Sequence, residues 1–441
     1  MGVPYADPLW VSRGQSPYYQ DKHVALRKKV RSFVDENILP YCEEWETSGS
    51  IPQEVGYGTT LRPLKMKRFS PGQVITKFAE NGLMAASVFP LATEYMDDIQ
   101  LPGGISPLEW DEFCDLIVMD EIARCGCLGV IWGLACGNII GLPPVIRFGT
   151  PDQKRKFIPD VLKGKTRFCL GVTEPDAGSD VAGITTTATR QGNKYVINGA
   201  KKWITNAIWA DYCTAAVRTG GPGQKGISAI VIPLTSAGIT RKRLFNSGVS
   251  SSGSTYIEFD NVEVPIENLI GEENQGFRII MSNFNHERTW LSCMALRLAR
   301  VCIEDSFIYA SRRETFGKKL LSNQIIRAKL ANLGRELEAG QAYLEQLVYI
   351  LAQSLRTTGV EPTGIGGLLA SSKVLSCRVL EHAVREAQQI MGGVGYSKGG
   401  RGGRVEQISR DVRCMVVGGG SEEILTELSL NQEMKALDSK L

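Results

Sequence analysis

The hydrophobic period changes twice along this 441-residue chain, and that double change limits the folds open to it. Over 24–38, Leu26, Val30, Phe33 and Val34 recur at three- and four-residue steps, and Pro40 closes the run. A second helix is expected over 109–124, with Phe113, Leu116, Ile117 and Ile122 on its apolar side. The middle third turns to short β-rich runs at 213–217, 227–232 and 255–259, separated by Gly, Pro and Asn. Asn198-Gly199, flanked by Tyr195-Val196-Ile197 and Trp203-Ile204-Thr205, predicts a hairpin turn. The last third returns to helix. Ile326, Leu330, Leu333, Leu337, Gly340, Leu344, Leu347 and Leu351 alternate four- and three-residue steps, a seam that buries against another helix. The expected fold class is α+β: a helical domain over 1–166, an antiparallel β domain over 167–274 and a helical bundle over 275–441.

Composition removes several function classes. Fifty basic against forty-seven acidic side chains leave a net charge of +3, which gives no footprint for nucleic acid. The basic cluster at 64–68 reads as a solvated loop, within a Gly-, Pro- and Thr-rich loop at 52–72. Eleven cysteines lack paired spacing, and only His23, His286 and His382 accompany them, so neither a metal site nor disulfide stapling is expected. No apolar run is expected to reach the roughly 18 residues of a membrane span. The N-terminus resembles neither a secretory signal nor a transit peptide. The chain closes on Ser439-Lys440-Leu441, the receptor-read peroxisomal address, so a peroxisomal location and an import receptor as partner are expected.

Chemistry concentrates in Gly-Val-Thr-Glu-Pro-Asp-Ala-Gly-Ser-Asp at 171–180, entered through Phe168-Cys169-Leu170. Gly and Pro make it a loop, and Gly178 with the hydroxyls of Thr173 and Ser179 can bring donors close to a ligand. Its carboxylates disfavour a simple phosphate nest, so the bound group is expected to be larger and partly apolar. On residue types alone, an acidic surface loop fits equally well. Gly221-Pro222-Gly223-Gln224-Lys225-Gly226 matches a dinucleotide fingerprint but precedes an apolar run instead of opening a helix, so it reads as a plain loop.

The stretch 171–180, extended to Gly183, resembles the flavin-loop signature of the acyl-CoA dehydrogenase family. Lys201-Lys202-Trp203-Ile204-Thr205-Asn206, Arg313-Glu314-Thr315-Phe316-Gly317 and Gln389-Ile390-Met391-Gly392-Gly393-Val394-Gly395-Tyr396 resemble further family segments. The resemblance runs from about Asp21 to Glu433. It implies the family's three-domain fold and FAD as cofactor. Leu170, Val172, Thr173, Gly178, Ser179, Trp203 and Thr205 would contact the flavin, with Ser421 and Glu423 near it. Arg313, Phe316, Gln324, Gln389, Gly392 and Gly393 would reach the FAD of a neighbouring subunit, hence a homotetramer or homodimer. After Tyr396, the run Ser-Lys-Gly-Gly-Arg-Gly-Gly lengthens the segment before Arg410-Asp411 resumes the pattern.

The implied reaction removes an α-proton from an acyl-CoA while a β-hydride moves to flavin N5, giving the trans-2-enoyl-CoA. It needs a carboxylate over the α-carbon. Many members carry that Glu near the C-terminus, where this chain has Gly419. The pattern is similar to the long-chain and isovaleryl branches, whose base lies on an earlier helix. Asn285-His286-Glu287-Arg288 matches that segment, so Glu287 is expected as the base, with Glu422 and Glu423 as competitors. Ser179, Asn285 and Arg288 are expected to bind substrate. An electron-transfer flavoprotein or O2 would take the electrons. An oxidase or monooxygenase on the same fold and a catalytically silent acyl-CoA-binding paralogue remain alternatives.

Overall fold

In the computed structural model, residues 2–51 and 73–438 are described. The expectations for 52–72 and for Ser439-Lys440-Leu441 lie outside them. The chain divides into two compact units built from separated stretches: Met1–Val34, Leu108–Leu128 and Phe284–Leu441 form a helical unit, and Asp35–Pro107 with Gly129–Asn283 form a unit centred on a sheet.

In the helical unit both expected early helices are present. Asp21–Asn37 buries Leu26, Val30, Phe33 and Val34. Glu112–Ala123 begins at Asp111, whose carboxylate accepts from the Phe113 and Cys114 amides and so satisfies two orphan donors of the first turn. His23, Asp111 and Cys114 bring three possible ligand atoms within 4.8 Å of one another. Lys22 Nζ already sits 2.7 Å from Asp111, and His23 Nδ1 accepts from the Gln20 amide. The cluster is thus a helix cap with its own cation. The expected seam lies on Gln324–Thr358, where Leu330, Leu333, Leu337, Gly340, Leu344, Leu347 and Leu351 are buried. That helix packs with Phe284–Arg312 and Ile365–Met391, and Gly403–Val417 and Glu422–Asp438 complete the bundle.

The other unit holds an eight-stranded sheet: β1 Phe168–Gly171, β2 Thr187–Gln191, β3 Lys194–Ile204, β4 Tyr212–Arg218, β5 Ile227–Pro233, β6 Ile239–Arg243, β7 Thr255–Pro265 and β8 Leu269–Ile270. Strands run in the order β6-β7-β3-β2-β4-β5-β8, with β1 beside β4. The pairing is mostly antiparallel, but β1 and β2 each run parallel to β4, so the sheet is mixed. Tyr195, Ile197, Cys213, Ala215, Ile230, Ile232, Ile257 and Phe259 belong to its core.

The hairpin expected at Asn198-Gly199 is not there. β3 runs straight through that pair, and the β2–β3 turn falls at Gly192-Asn193 instead. Gly199 sits at a register shift against β7 with φ of 140°. A Cβ there would stand 2.7 Å from Thr186 Cα. The glycine serves a bulge and a close backbone approach, which Asn-Gly spacing alone cannot distinguish from a turn.

Behind the sheet, the helix Leu128–Gly141 carries glycines at 129, 133, 137 and 141. A Cβ at Gly137 would lie 2.2 Å from the Phe168 carbonyl oxygen, and one at Gly141 would lie 2.6 Å from that of Cys169. The four-residue repeat therefore lets β1 press directly onto helix backbone. Asn206 locks this contact, accepting from the Gly137 amide at 2.8 Å and donating to the Trp132 and Ser252 carbonyls. The adjacent stripe, Trp132, Cys136 and Ile140, stays partly exposed. Leu128–Phe148 is long and apolar enough to cross a membrane by length and composition, yet 78% of its most apolar window is buried within the protein. An apolar sequence on all sides marks a helix surrounded by protein.

Candidate functional site

β1 ends at Gly171 and delivers the loop 172–180. Its fixed point is a buried ion pair: Lys201 Nζ on β3 lies 2.8 Å from Glu174 Oε1, and the two side chains are 0% and 4% exposed. Lys201 also donates to the Val172 carbonyl at 3.0 Å. Glu174 accepts from the Thr185 amide and hydroxyl and from the Thr186 amide. Burial works against ionisation of Glu174. The Lys201 charge and these donors outweigh it and hold the carboxyl down to about 2. The Thr173 carbonyl accepts from the Lys202 amide at 2.9 Å, closing the loop onto β3.

The outer surface of this loop is uncommitted. Among the described residues the hydroxyls of Thr173, Ser179 and Thr205 have no hydrogen-bond partner, and nothing lies within 4 Å of a Cβ built on Gly178. Beside them Trp203 is 51% exposed at φ of 58°, where β3 shifts register between Lys201 and Ile204. A left-handed backbone under a bulky aromatic costs about 1–3 kcal/mol and persists only where neighbours impose it. An outward-turned indole next to three open hydroxyls suits a flat, partly polar ring system, and the residues present therefore fit FAD. Leu170 is half-buried and Val172 buried beneath the loop.

In the helical unit Glu287 lies in the first turn of Phe284–Arg312 and is half-buried. Arg288 beside it is buried, which pulls its guanidinium below the usual range against the opposing charge of Glu287. Its Nε donates to the Gly419 carbonyl at 3.5 Å. Gly419 has φ of 68°, and a Cβ there would stand 2.4 Å from Leu291 Cδ1. Leu291 follows Glu287 by four residues and so shares its helical stripe. The turn at Gly419 thus packs closely against the helix that carries Glu287. Gly419→Ala is expected to destabilise by about 1–3 kcal/mol through overpacking and the lost left-handed backbone. Urea unfolding measures that loss.

The competing carboxylates are placed differently. Glu422 pairs with Arg378, whose hydrogen bond lowers its carboxyl below the usual range, and Glu423 is exposed. Ser421 accepts from the Leu425 amide at 3.0 Å and is half-buried. Asn285 donates from Nδ2 to Glu361 at 2.7 Å, so part of its amide is already engaged within the protein.

The remaining candidates lie elsewhere in the helical unit. Gln389 and Gly392 line a cavity of about 940 Å³ with Arg385, Tyr396, Lys398 and Arg410. Gly392 ends the helix Ile365–Met391 at φ of 60°, and Gly393 is exposed beside it. Arg313 is exposed, and Phe316 is fully exposed at the tip of a two-residue turn with Gly317, φ 51° and 71°. Gln324 opens the helix Gln324–Thr358 in full exposure. These three do not line the 940 Å³ cavity. The Gly-rich segment after Tyr396 folds as a short 3-10 turn, Gly400–Gly402. Asp411 then accepts from the Leu128 amide at 3.0 Å. Sequence reasoning missed the roles of Glu174, Lys201 and the strained backbone of Trp203. The sequence signal was weak, an acid and a base on separate segments, Thr173-Glu174-Pro175 and Ala200-Lys201-Lys202.

A sheet that presents open hydroxyls beside an outward-turned indole suits a flavin-dependent oxidoreductase. Family models for the N-terminal, middle and C-terminal domains of acyl-CoA dehydrogenase match residues 20–165, 169–262 and 274–433. The chain belongs to the acyl-CoA dehydrogenase family, whose members use FAD and act on acyl-CoA. It is similar to acyl-CoA dehydrogenase AFT10-1 of Alternaria alternata, 48% identical over 437 residues, covering 99% of this chain and 97% of that one. Acyl-CoA dehydrogenase apdG of Emericella nidulans is 40% identical over 439 residues, covering 98% and 95%. Among solved structures, butyryl-CoA dehydrogenase of Megasphaera elsdenii superposes with a TM-score of 0.79 at 26% identity, covering 95% of this chain and 100% of that chain.

Proposed function

We propose that this protein converts an acyl-CoA thioester to its trans-2-enoyl-CoA with Glu287 as the α-proton base. The observation that carries the reading is the pairing of a half-buried Glu287 with a Gly419 position whose left-handed backbone and closeness to Leu291 disfavour a side chain. Bound FAD supplies the two-electron acceptor for the hydride leaving the β-carbon. Thr173, Ser179 and Thr205 would donate toward it, Trp203 would flank it, and Glu287 would take the α-proton. Arg288 holds positive charge beside that carboxylate. Arg313, Phe316, Gln324, Gln389, Gly392 and Gly393 complete the cofactor site of a neighbouring subunit in a homotetramer. The partly exposed stripe Trp132, Cys136 and Ile140 favours an apolar acyl group.

Anaerobic addition of butyryl-, isovaleryl-, octanoyl- and palmitoyl-CoA to the FAD-loaded protein is expected to bleach the flavin with at least one of them. Full absorbance with all four would leave a silent acyl-CoA-binding protein in place of an enzyme. A second reading, transfer of electrons to O2, is favoured by the terminal Ser439-Lys440-Leu441, since a peroxisomal enzyme can lie beyond reach of an electron-transfer flavoprotein. Hydrogen peroxide released per acyl-CoA oxidised, set against reduction of an electron-transfer flavoprotein, separates the two.

A further inference from the structure

Lys373 lies inside the helix Ile365–Met391 at 1% exposure, with no carboxylate among the described residues in ion-pairing distance. Its ammonium donates to the Val416 carbonyl at 2.6 Å and to the Gly420 carbonyl at 2.9 Å. Burying an ammonium costs several kcal/mol even when it is hydrogen-bonded, and an apolar side chain would fill the same volume without that cost. Packing therefore does not explain a lysine here.

The segment it grips does. Residues 416–420 link Gly403–Val417 to Glu422–Asp438 through three consecutive glycines, two of them at positive φ, 68° and 113°. Three glycines in a row have the greatest backbone freedom of any tripeptide, so only outside contacts can fix their carbonyls. Lys373 holds both ends of the turn, and Arg288 reaches the Gly419 carbonyl between them. The charged and titratable groups facing Lys373 are Cys377 on its own helix, Arg288, Cys414 and Glu422, the last already paired with Arg378.

We infer that Lys373 is a positioning residue for the reaction: by clamping both ends of the 416–420 turn, it sets the Gly419 carbonyl that orients Arg288 beside Glu287. The inference rests on the reading of Glu287 as the base. The test uses the FAD-loaded protein and whichever of butyryl-, isovaleryl- and octanoyl-CoA bleaches the unmodified enzyme fastest. Lys373→Met is expected to slow α-carbon deuterium exchange in D2O by about 10- to 100-fold, as loss of a supporting contact typically does. kcat falls by more than KM rises, because Lys373 itself meets no substrate and acts only through Arg288. The acid limb of the exchange profile moves to higher pH, since a loosened guanidinium no longer favours the neighbouring carboxylate. In an Arg288→Lys background the same substitution adds less than about threefold, the non-additivity of one linked unit.

An unshifted acid limb in FAD-loaded Lys373→Met, or fully additive losses, overturns the inference. If that variant loads no FAD, Lys373→Gln retains a donor and is expected to show the same limb shift at smaller amplitude; an unshifted limb there is equally fatal. Glu287→Gln keeps the two readings apart. Exchange that survives in Glu287→Gln defeats the assignment of the base. A dead Glu287→Gln beside an unaltered Lys373→Met defeats only the role of Lys373.

Discussion

Glu287→Gln is expected to lose α-proton exchange and flavin bleaching by about 10²- to 10⁴-fold, the range a positioned general base contributes. Flavin content is expected to stay normal, since Glu287 is not among the residues proposed to hold FAD. The amide keeps the volume of the carboxylate, exchanges one acceptor oxygen for a donor and cannot take up the proton. The loss therefore reads chemistry and leaves packing intact. Near-normal turnover in this variant would remove Glu287 from the mechanism. Glu422 would not inherit the role readily, because its pairing with Arg378 holds it ionised and engaged.

The second large effect is expected at Lys201. Lys201→Met removes the cation from a carboxylate that is almost wholly enclosed and frees the Val172 carbonyl together with it. Breaking one side of a buried pair costs about 3–5 kcal/mol, and the loop 172–180 is the part that loosens. The variant is expected to purify depleted of FAD and to unfold at lower urea. Adding Glu174→Gln is expected to recover part of the loss, because the stranded charge is then gone. The pH dependence has a definite sign. Glu174 is depressed to about 2 from an ordinary 4.5, so its contribution is full above about pH 4.5 and is lost as pH falls toward 2. In Lys201→Met that acid-side loss is expected to flatten. Retention of FAD and an unchanged acid profile in Lys201→Met would show that the loop is held by other contacts.

Helical periods were legible because burial of one face imposes them directly. Leu26 to Val34 and Leu330 to Leu351 take the positions their spacing predicts. The β runs were legible as runs, but their pairing was not. β1 and β2 lie parallel to β4, and β1 is enclosed by the glycine face of Leu128–Gly141, contacts set by residues far away in sequence. Asn198-Gly199 misled because a bulge and a turn ask for the same residue freedom. At the candidate site, Thr173, Ser179, Trp203 and Glu287 were legible through short words in the sequence. Glu174–Lys201 and Lys373 were not, because the worth of a buried charge depends on what encloses it.

The helix Leu128–Gly141 separates two kinds of evolutionary freedom on neighbouring stripes. On the glycine stripe every added atom meets a main-chain carbonyl or a packed side chain, so descent with change is nearly closed there. The stripe of Trp132, Cys136 and Ile140 stays partly exposed. Lineages built on this scaffold can therefore remodel that wall one side chain at a time while the strand that feeds the flavin loop stays in place. Under the proposed function, divergence in acyl preference would be written at those three positions before it reached the chemistry.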